Sequence, residues 1–102
     1  SDPIYRVWAL SLAEEARRHR AESDRLLNQL IDKHGDAMGV QIAASYAQRR
    51  QSDEMFKWLD HALEKQDPGV KGILFIPFFR SYRNDPQFLV FAQKVGVMPT
   101  PR

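Results

Sequence analysis

Three Asp-Pro pairs, Asp2-Pro3, Asp67-Pro68 and Asp85-Pro86, mark where helices can begin in this chain. An Asp side chain accepts hydrogen bonds from the free amides of a first helical turn. A Pro at the next position has its φ preset and lacks only a donor that would be orphaned there. Each pair therefore predicts a helix start. Between the first two lie Ile42, Tyr46, Met55, Leu59 and Ala62, spaced for helices rather than strands. An all-α chain of stacked antiparallel helical hairpins, about six helices in all, is the expectation.

Pro3 to about Arg18 reads as the first helix: Tyr5, Trp8 and Leu12 follow helical spacing beside Ile4 and Val7, and Ala9, Ala13 and Ala16 favour close packing. A second is predicted from about Glu22 to His34, with Leu26, Leu27, Leu30 and Ile31 on one stripe and Gly35 closing it in the left-handed role usual for glycine. Asp36 is expected to cap a third, reaching Arg50, in which Met38, Ile42 and Tyr46 recur and Ala43, Ala44 and Ala47 permit near backbone contact. Ser52 or Asp53 opens a fourth, ending near Gln66, with Met55, Phe56, Leu59, Ala62 and Leu63 on its apolar face. A fifth covers about Val70 to Ile76 and stops at Pro77; the last runs from Pro86 to Val95. Lys71 to Phe79 alone alternates like a strand, and Pro77 and the flanking glycines interrupt it.

The 102 residues suit one domain: a first hairpin over 1–35, a second over 36–67, a closing segment over 68–97 and a frayed tail over 98–102. With 43% hydrophobic and 27% charged residues, the chain carries enough apolar side chains to fold. Its net charge of +2 is too small an excess for the basic stripe of a nucleic-acid domain. The absence of cysteine excludes disulfide staples and thiolate metal sites, and fits cytoplasm and periplasm equally. The longest apolar run, Gly72 to Phe79, falls well short of a membrane span. A chain beginning Ser-Asp-Pro is expected to be a piece of a longer polypeptide.

No residue pattern specifies a reaction. His19, His34 and His61 occupy separate helix ends or faces, without the spacing a metal site requires. Glu14, Glu15 and Asp53 each have Arg18, His19 or Lys57 one helical turn on, which makes solvated helix pairs rather than an acid/base dyad. The six serines and five glycines form neither a nucleophile turn nor a phosphate loop. The expectation is therefore no enzymatic activity, no cofactor and no metal. Phe75, Phe78, Phe79, Tyr82, Phe88 and Phe91 crowd the last third and are expected to form core; stacking on nucleic acid would need basic residues beside exposed rings, and only Arg80 and Arg83 are near.

Gly39, Ile42-Ala43, Tyr46, Met55, Leu59 and Ala62, with Pro68 following, resemble a tetratricopeptide repeat. The same register upstream, offset by 29 residues, falls on Leu10, Ala13, Arg17, Leu26 and Leu30. Asp67-Pro68-Gly69, Pro77, Asp85-Pro86-Gln87-Phe88 and Val95-Gly96-Val97 look like the closing segment of bacterial signalling proteins that carry helical repeats behind a winged-helix or nucleotide-cyclase domain. The resemblance implies a cytoplasmic scaffold for a protein or peptide partner, or one on the periplasmic face of a membrane-anchored parent. It implies a concave groove lined by Trp8, Ser11, Glu15, Arg18, His19, Val40, Ala44, Ala47 and Gln48. It also implies that Arg17, Arg18, Arg20, Arg49 and Arg50 converge, because the first helices of successive hairpins end at one edge. That edge reads either as helix-end compensation or as an anion-attracting rim for an acidic partner. Self-association of a transcription-regulator or cyclase segment is one alternative role, and weak nucleic-acid binding another.

Overall fold

Hydrophobic spacing and proline placement together produce five α-helices and two 3₁₀ segments in a computed structural model that describes residues 3–99. The helices are α1 (Pro3–Ala16), α2 (Arg20–His34), α3 (Gly39–Gln48), α4 (Ser52–Glu64) and α5 (Pro86–Lys94), with the 3₁₀ segments Pro68–Phe75 and Pro77–Tyr82 between α4 and α5. No strand occurs among the described residues. The expected cap at Asp2 and the end of the expected frayed tail, 100–102, lie outside them.

Two of the Asp-Pro starts have the expected chemistry. Asp67 Oδ1 accepts from the Gly69 amide at 2.8 Å, and Asp85 Oδ1 accepts from Gln87 and Phe88 at 2.8 and 3.2 Å. Pro77 does not simply stop a helix; it begins the second 3₁₀ segment. Prolines at 68, 77 and 86 thus open three successive helical turns at intervals of nine residues. The residue before each is extended, with ψ of 118° at Asp67 and Ile76 and 126° at Asp85, because the proline ring crowds a preceding helical residue. The expected α-helix over Val70 to Ile76 is 3₁₀ instead, a short element running from Pro68 to Phe75 and ended by the extended Ile76 that precedes Pro77.

Other expected caps differ. Asp36 does not cap α3; Met38 stands at that position without a side-chain bond, and Asp36 pairs with His61 on α4 and with Lys65 just past its end at 2.9 and 3.8 Å. Gly35 is right-handed, with φ −54°, so it does not end α2 in the left-handed way. Left-handed residues close α1, α3 and α4 instead: Arg18, Arg50 and Gln66, with φ of 64°, 59° and 58°. At each, the amide of the next residue reaches back to the helix, as in His19 to Glu14, Gln51 to Tyr46 and Asp67 to Ala62. Arg18 and Arg50 stand 32 positions apart, as do the starts of α2 and α4 at Arg20 and Ser52. The corners therefore repeat at 32 residues, not at the 29 read from side-chain register.

Helix α1 lies against α2, and α3 against α4. Gly39, at the start of α3, touches Ala62 near the end of α4 so closely that a Cβ there would sit 2.9 Å from the Ala62 Cβ. The principal core gathers Ala43, Ala44, Met55, Leu59 and Ala62 with Ile73, Phe79, Phe88 and Ala92. A smaller cluster of Leu27, Leu30, Met38 and Ile42 joins α2 to α3. Phe79, Phe88 and Phe91 are core as expected, whereas Phe75 is 87% exposed.

Candidate functional site

Polar bonds between α1 and α3 bring their C-terminal ends to one edge. Trp8 Nε1 donates to the Gln41 carbonyl at 3.0 Å and Gln48 Nε2 to the Leu12 carbonyl at 3.0 Å, so the two helices advance in the same direction. Arg17, Arg18, Arg20, Arg49 and Arg50 follow at that end, where exposed helix carbonyls favour cations.

The arginines do not share one role. Arg49 turns inward, its side chain only 5% exposed. It donates to Asp24 Oδ1 at 2.5 Å and to Ser23 Oγ at 2.7 Å, while its Nε lies 3.7 Å from Glu15 Oε1. Ser23 in turn donates to the Ser11 carbonyl at 2.9 Å. A charge on α3 thereby ties α1 and α2 together. Arg20 holds Glu15 through two bonds of 2.7 and 2.6 Å, which, more than any other influence, raise its guanidinium above the ordinary arginine range. Arg17 is 3.9 Å from Glu14, whose other oxygen meets His19 Nδ1 at 2.8 Å. Arg18 and Arg50, the two left-handed corner residues, have no carboxylate partner among the described residues.

The expected groove does not open where register placed it. Ser11, Val40, Ala44 and Ala47 are buried, each at most 3% exposed, because packing of α1, α4 and the closing segment around α3 covers them. Trp8, Glu15 and Gln48 are half-buried and engaged in the bonds above; only Arg18 and His19 of the groove set are exposed. A cleft of about 490 Å³ is lined by Ala47, Gln48 and Arg50 at the end of α3 and by Pro77, Phe78, Arg80 and Ser81 of the second 3₁₀ segment. Arg80 and Phe78 are distant from α3 in sequence, and only the Pro77 turn brings them to it.

The titratable clusters elsewhere are structural pairs. His61 Nε2 meets Asp36 Oδ1 at 2.9 Å and its ring stands edge-on to Trp58, linking α4 to the turn before α3. Burial, and next the nearby Glu54, raise the Tyr46 phenol above its usual value, against the lowering effect of Arg49. Among the described residues no group of three or more His, Asp or Glu could hold a metal ion, and no helix is long and apolar enough to cross a membrane. A scan against protein-family models finds no match, and no curated protein or solved structure matches the chain. The functional reading therefore rests on the chain's own geometry.

Proposed function

We propose that this chain is a protein-interaction module of tetratricopeptide-like hairpins, docking a partner at the edge where α1, α3 and the second 3₁₀ segment meet. The observation that carries the reading is the pair of corners 32 residues apart, each presenting an outward arginine without a carboxylate partner. Arg17 and Arg20 are compensated by Glu14 and Glu15, and Arg49 by Asp24, so the arginines left without a carboxylate at the ends of α1 and α3 are Arg18 and Arg50. Such exposed charge speeds encounter and orients a partner more than it holds it.

Retention of partners on the immobilised chain tests this. The native chain is expected to retain a partner that an Arg18→Glu/Arg50→Glu variant loses and a Lys57→Glu variant keeps, Lys57 being exposed on the outer face of α4. The same set of proteins retained by all three would overturn the reading. A second reading, self-association, is favoured by one observation: Tyr5 and Leu10 on α1 are 49% and 46% exposed. It predicts a sedimentation coefficient that rises with concentration and ceases to do so in Tyr5→Ser/Leu10→Ser.

A further inference from the structure

The cleft beside Arg50 has a composition that selects its occupant. Arg50 and Arg80 line it together with the apolar Ala47, Pro77 and Phe78 and the polar Gln48 and Ser81, and no carboxylate is among its lining residues. Neither Arg50 nor Arg80 has an ionic partner among the described residues. Guanidinium forks match carboxylates in a bidentate geometry, so each supplies a fixed anchor point for an acidic side chain. The apolar Ala47, Pro77 and Phe78 of the same lining favour something apolar. A small inorganic anion satisfies one arginine and leaves Phe78 wet. A nucleic-acid backbone needs several phosphate contacts in a row, whereas Arg17, Arg20 and Arg49 are already paired with Glu14, Glu15 and Asp24, which repel phosphate.

We infer that this cleft binds a short extended acidic peptide, with an apolar side chain on Phe78 and Pro77 flanked by carboxylates on Arg50 and Arg80. This rests on the interaction-module reading and names the partner's chemistry. Arg50 is held in the left-handed region by the α3 corner, with φ 59°, which fixes the base of its side chain before any partner arrives. Arg80 is held by the 3₁₀ turn that Pro77 opens. Both walls are therefore pre-formed, which limits the ordering cost of binding.

The test uses a fluorescein-labelled peptide of alternating glutamate and leucine, read by anisotropy against the full chain. Competitors are the same peptide with glutamine for glutamate, inorganic phosphate, and a single-stranded RNA of equal charge. The labelled peptide is expected to bind, more weakly as salt rises, and to be displaced by neither the glutamine peptide nor phosphate. Arg50→Asn keeps a residue type that tolerates the left-handed corner, and Arg80→Gln sits on an exposed side chain; circular dichroism confirms that both fold. Each is expected to weaken binding about tenfold, while Lys57→Gln, on the exposed face of α4 and away from the cleft, leaves it within about twofold. Phe78→Ser is expected to weaken the leucine-bearing peptide but not one with serine in place of leucine. Unchanged binding in Arg50→Asn and Arg80→Gln, displacement by phosphate alone, or tighter binding of RNA would each overturn the inference. Failure of the cleft variants to matter while Arg18→Glu/Arg50→Glu still loses its retained partner rejects this site and leaves the module reading standing. Retention by every variant rejects both.

Discussion

Helices α1 and α3 advance in the same direction at the same edge, yet their environments differ sharply. Of the 14 residues of α1 only Ser11 is buried, whereas α3 buries seven of its ten. The reason is position: α3 packs against α1, α2, α4 and the closing segment, and α1 has neighbours on one side only. The terminal helix is consequently held by half-buried Ile4, Val7 and Trp8 packed on the Leu27, Leu30, Met38 and Ile42 cluster together with directed polar contacts, Trp8 to Gln41, Gln48 to Leu12 and the Arg49 knot with Glu15, Asp24 and Ser23. The central helix is held by apolar burial. One face of a helical chain can be made adhesive by either means, and the choice decides which region opens first.

The largest effects should fall in the apolar half. Phe88→Ala, at a position with no exposure, is expected to cost about 3–5 kcal/mol in urea unfolding, whereas Leu10→Ala on α1 should stay within about 0.5 kcal/mol. Equal losses would erase the distinction between the two regions. Arg49→Ala is expected to cost about 1–2 kcal/mol, because Asp24 and Ser23 lose their bonds to it while Glu15 keeps Arg20, and Arg49→Lys should recover only part of this for want of a fork. Native-state hydrogen exchange sharpens the same point: α1 amides should exchange at least roughly tenfold faster than those of α3, and Arg49→Ala should widen the gap.

Smaller effects concern the corners and the buried phenol. Arg18→Gly and Gln66→Gly each relieve a left-handed side-chain residue and should raise stability by about 1 kcal/mol, measured as a shift of the urea midpoint. The smallest effect is alkaline. The folded chain holds the Tyr46 proton more tightly than the unfolded chain does, because burial disfavours the phenolate and Glu54 adds to that. Its contribution is complete below the unfolded tyrosine value of about 10 and is lost as pH rises through the higher folded value. Tyr46→Phe should flatten the fall in thermal stability in this alkaline window, and an unchanged slope would exclude Tyr46 as its source.

Much of the helical layout was legible because it is local. Asp67 and Asp85 cap as their spacing to Pro68 and Pro86 requires, and Leu26, Leu27 and Leu30 are buried as their stripe requires. The corners were less legible. Arginine and glutamine are not the residues that signal a left-handed turn, while Gly35, which is, keeps a right-handed backbone beside the Trp58 ring. The groove was misplaced for a related reason: register says which residues share a face but not what else covers it. Val40 and Ala44 share such a face and are buried. Arg20 and Arg49 meet at Glu15, and the division into inward Arg49 and outward Arg18 and Arg50 depended on where Glu15 and Asp24 happened to sit.

Helix starts, the apolar stripes and the helical character of the chain are determined by the sequence itself, since each depends on side chains within a turn or two of one another. Which arginines remain available, the cleft between Arg50 and Arg80, and the contrast between α1 and α3 were decided only by tertiary packing. Those depend on contacts between residues some thirty positions apart, and no local pattern encodes which neighbour will neutralise a charge or cover a face.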